Sequence, residues 1–290
     1  VNTRNQFLEA ANQGKNELWR YGMTVILSLL FIMGGSLVLG MGALLFLRTP
    51  DLTRLSPAAS LLVSLLPFGF WIGGMALGLR KLHQRPVRSL VCPAGPFRWG
   101  ALALSAGAWL VLSGLADGII AFIQPGNYRL VYAPGPFWPY LFVAVLLLPV
   151  QVTAEELFFR GYLAQAFGRV WGPSAAWWIP GALFGLLHGF NPEVGAYGLA
   201  LMLPVYIGMG LILGWVTLRT GGLEAALGMH LANNLYGTLF VTAPVSALPA
   251  PALFRIQTYD AAVSLIAFLG SALLYVTFMT FILRRRSDAV

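Results

Sequence analysis

YGMTVILSLLFIMGGSLVLGMGALLFL, residues 21–47, contains no Asp, Glu, Lys or Arg. As a helix this run is about 40 Å long at ~1.5 Å per residue, enough to cross the roughly 30 Å of bilayer hydrocarbon. It is too long for the apolar core of a cleaved signal, and no clear small-residue cleavage site follows it. It therefore reads as a first membrane span. Further apolar runs follow at 58–79, 99–123, 137–167, 174–190, 197–218, 222–241 and 260–283, giving eight candidate spans. Pro50 and Pro57, then Pro86, Pro93 and Pro96, then Pro125, Pro134, Pro136 and Pro139 punctuate the first connections. The expected fold is an all-α, polytopic membrane bundle of about eight transmembrane helices. It forms a single integral-membrane domain over residues 1–290, with no internal repeat or low-complexity segment.

Composition agrees. Charged residues make up 10% of the chain and hydrophobic residues 58%, with a mean hydropathy of +0.75. An ordinary soluble domain carries about 25% charged residues. The 9 Trp within an aromatic fraction of 13% suit membrane interfaces. A net charge of +8 without a basic stripe or an RNA-binding motif excludes a nucleic-acid partner. Cys92 is the only cysteine, so no intrachain disulfide can form.

Loop charges choose the orientation. With the N-terminus inside, one side holds Arg4, Lys15, Arg20, Arg80, Lys81, Arg85, Arg88, Arg98, Arg169, Arg219 and Arg284 to Arg286. The other side holds Arg48, Arg54, Arg129 and Arg255, a ratio of 13 to 4 with Arg160 left in the membrane. That asymmetry puts both termini in the cytoplasm. The small-residue pairs Gly74/Gly78, Gly181/Gly185 and Gly210/Gly214 read as close helix contacts within the bundle.

Charged and polar residues at membrane depth are costly, so each is a functional candidate. Three clusters stand out: Glu155-Glu156-x-x-x-Arg160, Phe184-x-x-x-His188 and His230-x-x-x-Asn234. If Gly168–Pro173 is a turn, Glu155 lies 13 residues before it and His188 lies 15 after it. Both are then about 20 Å from the turn at ~1.5 Å per residue. His230 and Asn234 share one helix face, but His230 is shallower, so the turn near Gly221 should be recessed. Glu156 and Arg160 have the favourable order for an i, i+4 pair. That leaves Glu155 unpartnered beside an imidazole, an arrangement that suits a general base. His83 reads as an idle member of a basic loop and Asp117 as interfacial, while Glu224 favours the positive end of its helix.

Together the three motifs resemble the signature of the CPBP family, the CAAX-processing and bacteriocin-processing intramembrane peptidases that include the type II CAAX prenyl endopeptidases. Arg160-Gly161 and Arg219-Thr220-Gly221 also match. The resemblance runs from about Pro149 to Tyr236 and marks residues 137–241 as a CPBP-like catalytic core. It implies an intramembrane endopeptidase, a glutamate-type hydrolase acting on a membrane-associated protein or peptide, with prenylated CAAX protein as one option. A water between Glu155 and His188 attacks, Glu156 and Arg160 position Glu155, and His230 with Asn234 donates to the oxyanion. No cofactor is expected. Zinc held by Glu155, His188 and His230 stays an alternative, although there is no His-Glu-x-x-His motif.

Two other readings stay open. One is a non-hydrolytic membrane scaffold, assembly factor or immunity protein on the same fold, with a partner in a membrane complex. The other is a proton-coupled transporter, which the restriction of ionisable residues to the second half of the chain disfavours. The expected location is a prokaryotic plasma membrane, with the active site opening on the cytoplasmic side where the Gly172 turn lies.

Overall fold

The structure, a computed structural model, describes residues 6–47 and 55–287. Arg4, Arg48, Pro50 and Arg54 lie outside the described residues, as does the side chain of Arg286. Eight helical elements carry the fold: α1 Leu18–Leu47, α2 Pro57–His83, α3 Trp99–Ile123, α4 Pro134–Glu156, α5 Ala164–His188, α6 Leu199–Thr220, α7 Glu224–Leu235 and α8 Ala261–Ser287. Short helical turns precede α1, at Gln6–Glu9 and Ala10–Gln13, and a six-residue helix, Pro192–Tyr197, joins α5 to α6.

Among the described residues, six helices are long and apolar enough to cross a membrane, against the eight spans read from sequence. The difference has two causes. Pro134–His188 is one 55-residue helical run broken only at Gly172, whose φ of 84° is a left-handed value that glycine adopts without strain. The run doubles back there, because Phe159 and Phe184, 25 positions apart (184 − 159), stack edge-on with ring centroids 5.4 Å apart. The other case is α7, which with its following π-helical turn Tyr236–Phe240 is short and carries polar residues.

Large apolar side chains on the outer faces, among them Leu30, Leu37, Phe122, Phe142, Ile266 and Leu273, are exposed. In water they would form patches far beyond those that a soluble monomer tolerates; around a bundle of apolar helices they are the lipid-facing surface. The chain is a multi-pass membrane protein.

The glycine pairs work inside the bundle. A Cβ at Gly210 would lie 2.2 Å from the carbonyl oxygen of Gly181, so α5 and α6 meet backbone to backbone. Gly74 likewise brings α2 against α1, where a Cβ would lie 2.8 Å from Cα of Ser28.

The basic connections gather at one end. Arg169 donates to the carbonyl of Asn16 at 2.9 Å, Arg20 to that of Leu82 at 2.5 Å, and Arg98 to that of Thr220 at 2.7 Å. Arg98 also grips Glu224, the first residue of α7, through Nε at 2.9 Å and a second guanidinium nitrogen at 2.6 Å. The Gly221 turn packs against the connection between α2 and α3. Leu223 N–H donates to the carbonyl of Val91 at 2.9 Å, and Leu223 and Glu224 are fully buried.

His83 corrects its reading as an idle loop residue. It is fully buried: Nδ1 donates to the carbonyl of Lys15 at 2.8 Å, and Nε2 accepts from the hydroxyl of Tyr162 at 2.8 Å. It ties the N-terminal segment to the element that carries the first motif.

The opposite end carries a small sheet that the apolar periodicity does not announce. β1 Tyr128–Leu130 pairs antiparallel with β3 Phe254–Ile256, and β3 pairs parallel with β2 Val241–Thr242. Arg129 and Arg255 face each other in register, and Asp117 accepts a 2.6 Å hydrogen bond from the hydroxyl of Tyr128.

Candidate active site within the bundle

Local sequence places the three motifs. Glu155 and Glu156 end α4, and the next turn, Leu157–Leu163, widens into a π-helix that contains Arg160. Another π-helical segment, Tyr236–Phe240, follows Asn234 almost directly. Such turns are rare in helices and concentrate at functional sites. The reversal at Gly172 returns the second half of α5 alongside the Leu157–Leu163 turn, so that Phe184 and His188 arrive beside the first motif, and α7 adds His230 and Asn234.

At the centre, Glu156 is fully buried and Arg160 is 1% exposed. Arg160 donates to Oε1 of Glu156 at 3.0 Å and to the carbonyl of Gly210 at 3.2 Å, and its guanidinium carbon sits 4.2 Å from the ring centre of Phe184. The same Oε1 accepts from Nδ1 of His230 at 2.8 Å, and Nε2 of His230 lies 3.6 Å from Oε2 of Glu155. His230 is thus hydrogen-bonded to Glu156 and stands beside Glu155.

Glu155 has a partner that the motif reading left out. Gln151, one helical turn earlier, donates to its Oε1 at 2.6 Å. A directed chain leads to that bond. Trp109 Nε1 donates to Oδ1 of Asn233 at 3.2 Å, Asn233 to Oδ1 of Asn234 at 3.2 Å, and Asn234 to Oε1 of Gln151 at 3.0 Å. An indole N–H only donates, so it fixes each amide in turn and aims every donor toward the carboxylate. Asn234 spends one of its two N–H donors on Gln151 and keeps the second. His188 is oriented by its own helix, with Nδ1 donating to the carbonyl of Phe184 at 2.7 Å, which leaves Nε2 for another partner. Its ring stacks on Tyr206 with centroids 4.9 Å apart.

Glu155, His188, His230 and Asn234 line one cavity of about 390 Å³, together with Gln151, Asn191, Glu193, Tyr206 and apolar residues such as Phe68, Val205 and Met209. Glu156 and Arg160 stand behind the wall and are not among its lining residues. The connections that line the cavity, through Asn191 and Glu193 and through Ser246, Ala247 and Leu248, lie away from the end where the basic connections and the Gly172 turn gather. Gln151 and Glu193 escaped notice in the sequence as single polar residues without a motif; the one signal for Gln151 was its place one turn before Glu155.

Zinc was the alternative cofactor. Among the described residues no group of three or more His, Cys, Asp or Glu side chains is placed to hold a metal ion. Nδ1 of His230 and Nδ1 of His188 are bound elsewhere, which leaves Nε2 of each as the ring atom a metal would take.

The family model for type II CAAX prenyl endopeptidases of the Rce1-like kind matches residues 135–236, which spans all three motifs. The uncharacterized protein YyaK of Bacillus subtilis (strain 168) is 33% identical over 262 residues, covering 84% of this chain and 85% of that protein. No solved structure matches the chain. With its membrane bundle, its ordered motifs and a relative alike over most of its length, the chain belongs to the Rce1-like family of type II CAAX prenyl endopeptidases.

Proposed function

We propose that this chain is an intramembrane endopeptidase that hydrolyses a peptide bond of a membrane-associated substrate with a water activated by Glu155 and His188. One observation carries the reading. The two side chains line the same cavity, each with one polar atom already engaged, Oε1 of Glu155 by Gln151 and Nδ1 of His188 by Phe184. Oε2 of Glu155 and Nε2 of His188 are the atoms left for a water. A base held this way needs little reorganisation before it takes the proton, and such a base contributes about 10²–10⁴-fold to rate.

In this mechanism Glu155 removes a proton from the water as its oxygen attacks the carbonyl carbon. Asn234 offers its second N–H to the oxyanion, a type of contact worth about 10²–10³ in kcat. Glu155 then passes the proton to the departing amine. His230, bound to Glu156 and close to Glu155, sets the spacing of the two carboxylates, and Arg160 balances the charge behind them. No metal takes part in these steps. A prenylated CAAX-type C-terminus is one substrate of the required kind, since apolar side chains share the cavity wall with the polar ones.

By the positive-inside rule, the basic end of the bundle and both termini face the cytoplasm of a prokaryotic plasma membrane. The connections through Asn191 and Glu193 and through Ser246 to Leu248, which line the cavity, then lie toward the other side. Purified full-length chain in liposomes tests the reading against a panel of lipidated and plain peptides. Cleavage that Glu155→Gln and His188→Ala each remove supports it, and a panel left intact by the unaltered chain sinks it.

A further inference from the structure

The cavity holds a second carboxylate that the proposed hydrolysis does not use. Glu193, in the short helix after α5, is 9% exposed and lines the cavity with Glu155. Its Oε1 accepts from the hydroxyl of Tyr206 and from Nδ2 of Asn191, the latter at 3.2 Å. Its Oε2 is buried without any hydrogen-bond partner. Among the described residues no Lys or Arg lines the cavity, so two acids share it with two histidines and no permanent cation. A buried carboxylate oxygen without a partner is costly to desolvate and is stabilised by an arriving cation.

We infer that Glu193 is a recognition subsite for a basic side chain, lysine or arginine, of the peptide substrate. Tyr206 links it to the reacting pair: its hydroxyl holds Glu193 and its ring lies on His188. An extended peptide advances about 3.3 Å per residue, and Tyr206 touches both Glu193 and His188, so the basic side chain belongs one or two residues from the bond held between Glu155 and His188. Asn191 and Tyr206 hold Oε1, which leaves the buried Oε2 as the atom for an arriving cation.

This inference rests on the peptidase reading. The test uses the full chain carrying Glu155→Gln, so that bound peptide is not consumed. The probes are two labelled Ala/Leu decapeptides that differ only in a central arginine or its neutral isostere citrulline. Fluorescence anisotropy in detergent micelles should show the arginine peptide binding about tenfold more tightly, as a single charge-assisted contact implies. Adding Glu193→Gln should bring the two peptides to parity, and its amide oxygen can still accept from Tyr206 and Asn191. Tyr206→Phe, which leaves the charge, should keep the preference; its loss there would mean that Glu193 acts through Tyr206 and not on the ligand. Parity before Glu193 is changed, or a preference that survives Glu193→Gln, overturns the subsite. Turnover by the unaltered chain is scored separately. Hydrolysis at parity removes the subsite alone, and preference without hydrolysis removes the peptidase reading alone.

Discussion

Replacing Arg160 with methionine removes the positive charge from the most buried ionic group in the site. Arg160 is 1% exposed and Glu156 fully buried, and after the change Glu156 keeps only the Nδ1–H of His230. Removing one member of a buried pair strands the other charge, at a cost of about 3–5 kcal/mol. The lost bond to the carbonyl of Gly210 adds little, because that carbonyl lies inside α6 and keeps its helical partner. Removing both charges, Arg160→Met with Glu156→Gln, strands neither, and the introduced amide oxygen still accepts from His230. The double variant should therefore recover about 2–3 kcal/mol relative to the sum of the single changes, a coupling expected for residues in one network. Unfolding in mixed micelles with increasing SDS measures all four corners of the cycle. A loss below about 1 kcal/mol for Arg160→Met, or costs that simply add, would refute the view that Glu156 depends on this pair.

Gly210→Ala should cost about 1–3 kcal/mol in the same assay, because its Cβ would lie 2.2 Å from the carbonyl oxygen of Gly181. Gly40→Ala, where a Cβ meets nothing within 4 Å, should be neutral or mildly stabilising. Cys92 is buried and should resist thiol reagents. Ala94→Cys and Thr258→Cys, both exposed, should react with an impermeant reagent from opposite sides of sealed cells, with only Thr258→Cys labelled from outside; the reverse pattern would invert the orientation. Turnover should survive a chelator, and loss of activity that added zinc restores would overturn the metal-free mechanism.

Helix periodicity and loop charge made much of this architecture legible. Apolar runs marked the helices, and the near-equal spacing of Glu155 and His188 from Gly172 anticipated the hairpin and the shared cavity. Rise per residue fixes depth but says nothing about rotation around a helix axis. That is why the hydrogen bond of His230 to Glu156, and its approach to Glu155 at 3.6 Å, were not legible. Gln151 looked like one stray amide in an apolar run, and only the fold joins it to Asn234 on α7. The connections Asn191–Glu193 and Ser246–Leu248 add to the cavity wall, and loops without periodicity carry no such signal. His83 hid among basic neighbours, since its burial arises from Lys15 and Tyr162, 68 and 79 positions away.

Isotope incorporation tests the central claim most directly. The full chain in liposomes is incubated in H2¹⁸O with a mixed lipopeptide library, and the new C-termini are read by mass spectrometry. With water activated by Glu155 as the nucleophile, each new carboxylate should carry one ¹⁸O. Glu155→Gln should reduce the yield by at least about 10²-fold while its unfolding curve stays close to that of the parent. New termini without ¹⁸O, or an undiminished yield from Glu155→Gln, would contradict the glutamate–water mechanism.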